Sequence, residues 1–130
     1  MQKVATTSTN IRIIHASDFI RATPEGMLNL ELSKKLLIEL ASATTSLVDY
    51  EIILDTRKTV VGMSVLDLWY LASELSNFSK VFSRKTAVLC PVESFDRAEF
   101  FALCAQNRGF PVRAFNNYED AIDWLTASGK

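Results

Sequence analysis

The feature that most constrains this chain is an alternation of short apolar runs with amphipathic helical patterns between residues 50 and 128. The apolar runs lie at residues 50–55, 86–91 and 111–115, and a helical pattern follows each of them. Parallel strands need a long crossover connection, because no tight turn can join them. The alternation therefore predicts a mostly parallel sheet with helical crossovers.

The N-terminal part of the chain adds two weaker strand candidates and one helix. Residues 11–15 and residues 18–23 are strand-like runs, and leucines recur at helical spacing after Asn29. We expect the first of these strands to lie antiparallel at one side of the sheet and all later strands to be parallel. The prediction is an α/β fold with one five-stranded mixed sheet and about four helices. A single domain at residues 11–130 would follow a flexible N-terminal segment at residues 1–10.

Charge and hydropathy argue against several classes of partner. The 130 residues carry 14 basic and 15 acidic side chains and no block rich in lysine or arginine, which argues against nucleic acid as a partner. No apolar run approaches the ~18 residues that a transmembrane helix needs, and the N-terminus lacks the apolar segment of a signal peptide. Cys90 and Cys104 fall in apolar patterns and are too few for a disulfide framework. We therefore expect a cytoplasmic protein with two reduced, buried thiols.

Residue types that carry common chemistries are sparse. With His15 as its one histidine and two separated cysteines, the chain offers no metal site of imidazole or thiolate type. The four glycines lie far apart, so no glycine-rich phosphate loop is expected. A catalytic triad would have to recruit His15 from the first strand, where a structural role is the better interpretation. The sequence predicts a protein without enzymatic activity, cofactor or metal.

One candidate site follows from the predicted sheet, because ligands of open α/β sheets bind beyond the carboxyl ends of parallel strands. Six polar residues at this edge form the predicted ligand-binding crevice: Asp55, Arg57, Ser64, Ser94, Arg97 and Asn116. Ser64 and Ser94 are also expected at helix N-termini, where free amides favour anions. In the alternative interpretation, Asp55 pairs with Arg57, both serines are only helix caps, and Arg97 is a solvated charge.

Aromatic residues suggest a contact surface. If the leucines of the helix after Ser64 face the sheet, Trp69 and Tyr70 point partly away from it, because adjacent helix positions diverge by ~100°. Together with Phe78 and Phe82, they form the predicted interface of a homodimer. The alternative is that the segment after this helix folds back and covers the rings.

The sequence resembles a known bacterial family in two places. Residues 53–66, a strand ending in an acidic residue and a loop to a helix-capping serine, resemble the STAS-like domains that include anti-sigma-factor antagonists. Residues 112–125 are similar to the last strand and helix of the SpoIIAA-like branch. The resemblance covers residues 11–125 and implies the same fold.

The resemblance also implies a role for Ser64. In anti-sigma-factor antagonists the serine at the start of this helix is phosphorylated, so Ser64 is a candidate phosphosite. The Asp-Ser-Ser-Gly loop of those proteins is absent, since residues 61–65 read Val-Gly-Met-Ser-Val. A role as helix cap alone is the other interpretation of Ser64.

These observations predict a non-enzymatic regulatory or protein-interaction module of the bacterial cytoplasm, with a protein partner and a homodimer contact. The alternative is a small-molecule or lipid-binding domain, or a minor enzyme, that uses the crevice at the strand ends. Asp55 and Arg57 would then orient a polar group, and amides near Ser94 would hold an anion. A lipid-binding function would require an internal apolar cavity, which a sequence does not reveal.

Overall fold

The computed structural model describes residues 13–16, 19–44 and 50–127. Within these ranges the strands are β1 (Ile13–Ala16), β2 (Phe19–Ala22), β3 (Gly26–Leu28), β4 (Glu51–Asp55), β5 (Thr59–Val61), β6 (Thr86–Leu89) and β7 (Val112–Phe115). The helices are α1 (Leu30–Ala43), α2 (Val65–Glu74), the short α3 (Ser79–Phe82), α4 (Phe95–Asn107) and α5 (Tyr118–Thr126). Two 3₁₀ turns lie at Leu75–Phe78 and Val92–Ser94. The predicted flexible segment at residues 1–10 lies outside the described residues.

The main sheet has five strands in the order β1-β2-β4-β6-β7. β1 is antiparallel to β2, and every other neighbouring pair in this sheet is parallel. The predicted α/β fold class, with a mixed and mostly parallel sheet, is confirmed.

Helices cover the sheet on both faces. One core contains Ile52, Leu54 and Val88 of the sheet together with apolar residues of α1, α2 and α4. A smaller core on the opposite face contains Ile53 and Leu89 together with apolar residues of α5. Strands buried on both faces read as continuous apolar runs, which explains the unbroken pattern of β4 and β6.

A second, two-stranded parallel sheet of β3 and β5 was not predicted. In the sequence, Gly26 and the residues around Gly62 look like breaks between elements. Gly26 instead begins β3 with a φ of 91°, a conformation that favours glycine, and its amide donates to the Lys58 carbonyl at 3.1 Å. Strands of three residues are too short to show an alternation, so only their mutual pairing defines them.

The segment after α2 folds back onto the core, and this corrects the predicted homodimer interface. Phe82 in α3 is only 1% exposed, so it is not part of a surface. Phe78 is half-buried and packs against the same core. The 3₁₀ turn and α3 return the chain toward the sheet, and burial of the two rings stabilises that return.

Three helices of the described residues begin at a side chain that caps them with a hydrogen bond. Asn29 Oδ1 accepts from the amide of Leu32 at 2.9 Å, Asn117 Oδ1 accepts from that of Asp120 at 2.9 Å, and Ser64 caps α2 in the same way. Ser94 does not, because a 3₁₀ turn precedes α4 and the Ser94 side chain makes no capping hydrogen bond. The predicted cap role of Ser94 is therefore wrong.

Candidate functional site

Asp55, at the end of β4, is held by two arginines. Arg57 donates from Nε to Oδ1 at 2.9 Å and from Nη2 to Oδ2 at 2.8 Å. Arg21 of β2 donates from Nη2 to Oδ2 at 2.7 Å, and its guanidinium lies 5.4 Å from the ring centroid of Tyr118. Side chains alternate along a strand, so Asp55 shares the face of Ile53, which α5 covers. We name these four residues, Arg21, Asp55, Arg57 and Tyr118, the arginine cluster.

The two arginines keep the Asp55 carboxylate ionised. Its side chain is 5% exposed, and burial alone would raise its pKa. Hydrogen bonds from Arg57 and Arg21 outweigh burial and lower the pKa of Asp55 from 3.8 to about 2. The hydrogen bond to Asp55 also raises the pKa of Arg57. The pairing of Asp55 with Arg57 is the alternative that the sequence analysis left open.

Arg21 is a residue that sequence reasoning missed. It is separated from Asp55 by 34 positions, and only the parallel pairing of β2 with β4 brings the two together. The available signal was a charged residue between Ile20 and Ala22 in a strand-like run. Such a residue on a face that a helix covers needs a partner of opposite charge.

A half-open apolar cavity of about 70 Å³ lies on the opposite face of the sheet. Leucines of α1 and α2, the carboxyl ends of β4 and β6, and Phe101 of α4 line it. Met63, in the loop that leads into α2, also contributes to the lining. The cavity therefore lies at the edge where open α/β sheets bind ligands, but its walls are apolar rather than polar.

The structure does not bring the six predicted crevice residues into one site. Ser94 and Arg97 line the cavity. Asp55 and Arg57 belong to the arginine cluster, because the alternation along β4 turns Asp55 to the face of α5 and Arg57 pairs with Asp55. Ser64 is an exposed helix cap, and Asn116 is exposed beside Asn117, whose Nδ2 donates to Asn116 Oδ1 at 3.4 Å. Ligand binding by these residues stays a prediction.

Few polar groups approach the cavity, and most of them are already paired. Thr56 Oγ1 donates to the carbonyl of Leu89 at 2.9 Å. The buried hydroxyl of Ser33 contacts the sulfur of Met63 at 3.6 Å, a weak acceptor. Arg97 Nη1 donates to the carbonyl of Met63, which ties α4 to the loop before α2. In the described parts of the chain, no carboxylate lies within ion-pair distance of Arg97.

Cys90 lines the cavity but is a poor nucleophile. Burial raises the pKa of its thiol to about 11, and the carboxylates of Glu93 and Glu99 add to the shift. Its Sγ donates to the carbonyl of Phe115 at 3.5 Å. A thiol with a raised pKa is almost entirely protonated near neutral pH, so this site favours packing over covalent chemistry.

The outer side of α2 exposes large apolar side chains. Four of them, between 46% and 67% exposed, form what we name the α2 surface: Val65, Leu66, Trp69 and Tyr70. They fall in pairs four residues apart, which places each pair on one stripe of the helix. Lys34 Nζ lies 5.9 Å from the Tyr70 ring centroid, and the Arg108 guanidinium lies 5.0 Å from the Trp69 ring. Of the four residues of the predicted interface, Trp69 and Tyr70 belong to the α2 surface.

Ser64 begins α2 next to this surface. Its Oγ accepts from the amide of Asp67 at 3.1 Å, and its own amide donates to Asp67 Oδ2 at 3.1 Å. This reciprocal pair is a capping box, so the structure shows the cap role that the sequence analysis considered. The side chain is exposed, which leaves its hydroxyl within reach of another protein.

Two further classes of site find no support in the described residues. Over residues 13–16, 19–44 and 50–127, no three histidine, cysteine or acidic side chains are grouped so that they could hold a metal ion. No helix in the same ranges has the length and apolar character needed to cross a membrane.

Comparison with known proteins places the fold. No protein-family model matches the sequence, and no curated protein is similar to it. Solved structures do match. An uncharacterised protein of the DUF3478 family from Shewanella loihica, described as having a SpoIIAA-like fold, has a TM-score of 0.60 at 18% identity, over 96% of this chain and 99% of that one.

Two further matching structures are of anti-sigma factor antagonists. One, from Mycobacterium paratuberculosis, has a TM-score of 0.61 at 13% identity, over 92% of this chain and 96% of that one. The other is SpoIIAA in its unphosphorylated form, with a TM-score of 0.56 at 13% identity, over 89% of this chain and 97% of that one. The fold is SpoIIAA-like. The resemblance seen in residues 53–66 and 112–125 is thereby confirmed at the level of the fold.

Proposed function

We propose that this chain is a non-enzymatic regulatory module of the bacterial cytoplasm that binds a protein partner through the α2 surface. The observation that carries the proposal is the exposure of four large apolar side chains, Val65, Leu66, Trp69 and Tyr70, on one helix. A monomer gains nothing from clustered rings in water, and such clusters mark contact surfaces. The SpoIIAA-like fold, shared with anti-sigma factor antagonists, supports a regulatory role.

Charge indicates which kind of partner fits. Lys34 and Arg108 lie over the rings of Tyr70 and Trp69, so a cation flanks each ring. A protein with an apolar centre and acidic side chains opposite these two cations would complement the surface. Tryptophan and tyrosine are the residues that most often dominate the energy of an interface, so Trp69 and Tyr70 are the expected anchors.

A second copy of the chain fits this surface less well. A two-fold contact is self-complementary, so Lys34 and Arg108 of both copies would border the same contact. Like charges in one interface disfavour association unless carboxylates separate them. We therefore propose a different protein as the principal partner, with the predicted homodimer through Trp69 and Tyr70 as an outcome that the experiment detects.

Ser64 is the proposed control point of this contact. The negative charge of a phosphoryl group on Ser64 would be stabilised by the free amides of the first turn of α2. It would also replace the capping hydrogen bond to Asp67 and repel the Asp67 carboxylate three positions away. Beside the α2 surface, two added negative charges would oppose an acidic partner. Intact-mass measurement of protein from its native cell, with Ser64→Ala as control, tests the modification.

The test of the proposed function compares two variants of the full chain. Trp69→Ala combined with Tyr70→Ala removes the anchors, and Leu103→Ala removes a similarly exposed apolar side chain of α4 as the matched control. Partners captured from native lysate are purified and their affinity is remeasured with the purified proteins. We expect the double variant to bind at least tenfold more weakly and Leu103→Ala to bind like the wild type.

Two results would contradict the proposal. One is a purified partner that binds the double variant as tightly as the wild type. The other is a steady enzymatic turnover by a chain that captures no partner. Sedimentation at micromolar concentration accompanies the binding measurement, and a wild-type dimer that the double variant abolishes would assign the α2 surface to a second copy.

A further inference from the structure

We propose that the apolar cavity between α1, α2 and α4 binds a small monocarboxylate, with its hydrocarbon tail inside and its carboxylate on Arg97. This ligand site is separate from the α2 surface. The cavity walls use the inner side of α2, through Leu68 and Leu71, whereas Trp69 and Tyr70 point outward.

The size of the cavity sets the length of the tail. Its volume is about 70 Å³. A single water needs roughly 10–15 Å³ by the same measure, so the cavity has room for roughly five non-hydrogen atoms. The tail that fits is therefore a short aliphatic chain of about four to six carbons.

The lining of the cavity determines which ligands can bind there. Leu36, Leu71, Val88 and Phe101 present hydrocarbon to the cavity, and the polar groups of Thr56 and Cys90 already donate to backbone carbonyls. Water gains few hydrogen bonds in such a space, whereas an aliphatic chain loses none. Apolar transfer out of water is the driving force for the tail.

Arg97 supplies the polar end of the site. It is exposed, it lines the cavity, and it has no carboxylate partner in the part of the chain that the structure describes. Its described hydrogen bond is donated by Nη1 to the carbonyl of Met63, which leaves other N–H groups of the guanidinium for a ligand. A guanidinium matches a carboxylate in a two-point hydrogen bond, which distinguishes an acid from an alcohol.

The orientation follows from exposure. Arg97 is exposed, whereas Val88 and Cys90, which line the cavity at the end of β6, are buried. A ligand carboxylate placed beside these buried side chains would be desolvated by the apolar walls. The acid therefore lies at Arg97 and the methyl end of the tail lies inside.

The experiment is a methyl NMR titration of the full chain with hexanoate, hexanol and acetate. We expect hexanoate to shift the methyl resonances of Leu36, Leu71 and Val88 in a saturable way, and acetate to leave them unchanged. Hexanol should bind roughly tenfold more weakly than hexanoate, since it lacks the charge-assisted hydrogen bond.

Two variants separate the parts of the site. Arg97→Gln, on an exposed side chain, should weaken hexanoate about tenfold and leave hexanol unchanged. Arg113→Gln removes the same charge from an exposed arginine that does not line the cavity and should change neither. The proposal is overturned if hexanoate shifts no cavity methyl at 10 mM (roughly the weakest affinity expected of so small a ligand), or if Arg97→Gln binds hexanoate like the wild type.

Discussion

Asp55 makes the stability of this fold depend on pH in a way that one substitution can isolate. Its pKa is 3.8 without the protein environment and about 2 in the folded state. A lowered folded-state pKa contributes stability that is present above pH 4 and is lost as the pH falls toward 2. At about 1.4 kcal/mol for each pKa unit, the shift corresponds to about 2.5 kcal/mol of unfolding free energy. Asp55→Asn should remove this contribution at neutral pH.

The assay is urea unfolding of the wild type and Asp55→Asn, followed by circular dichroism at several values between pH 7 and pH 2. The two proteins should differ by about 2.5 kcal/mol at pH 7 and converge as the pH approaches 2. Other carboxylates titrate in both proteins, so the difference between the two curves reports Asp55. Asp123→Asn, in an exposed position of α5 outside its first turn, is the control and should track the wild type. Parallel curves for wild type and Asp55→Asn across this range would refute the role assigned to the arginines.

Three further predictions concern single positions. Ser64→Ala should lower the unfolding free energy by about 1 kcal/mol, since it removes the capping bond of α2; an unchanged urea midpoint would show that the capping box contributes nothing. Phe82→Ala should lower the unfolding free energy by about 3–5 kcal/mol because the ring is buried. Phe78→Ala should lower it clearly less, because Phe78 is half-buried. Equal losses would mean that the segment after α2 does not cover Phe82 as described. In a Cys104→Ser background, Cys90 should react with a thiol reagent at pH 8 at least about a hundredfold more slowly in the folded protein than in urea. The reason is that its pKa rises from 9.0 to about 11 on folding. Similar rates would contradict a buried thiol.

The sequence predicted the fold well because burial in the sheet determines its strongest patterns, and each of these patterns is visible within a few neighbouring residues. Parallel strands buried on both faces are apolar at successive positions, so residues 52–54 of β4 and 87–89 of β6 are recognisable as unbroken apolar runs. The pairing of β3 with β5 leaves no such trace, since three residues carry no period and their partner is remote. Phe82 shows the same limit. An aromatic residue in a polar connecting segment gives the same sequence pattern whether the segment is exposed to solvent or folded back onto the core.

The candidate site was predicted less well, for a geometric reason. The rule that ligands bind at the carboxyl ends of parallel strands is correct for the position of the cavity, and Ser94 and Arg97 were found by it. It does not say on which face of the sheet each side chain lies. Asp55 and its neighbour Thr56 follow one another in the chain, yet the first joins the arginine cluster and the second lines the cavity. Cavities depend on how helices pack, and no periodicity in the sequence indicates where a cavity lies.

The two proposals meet at α2 but rest on different sides of it. Leu68 and Leu71 face the cavity, whereas Trp69 and Tyr70 face solvent. Met63 lies at the cavity wall directly before Ser64, and Arg97 holds the Met63 carbonyl. A ligand carboxylate on the remaining N–H groups of Arg97 would share one guanidinium with that carbonyl, so it would act directly on the loop that begins α2. Ligand in the cavity and partner on the α2 surface would then be coupled through the start of one helix, and by thermodynamic necessity each would change the affinity of the other by the same factor.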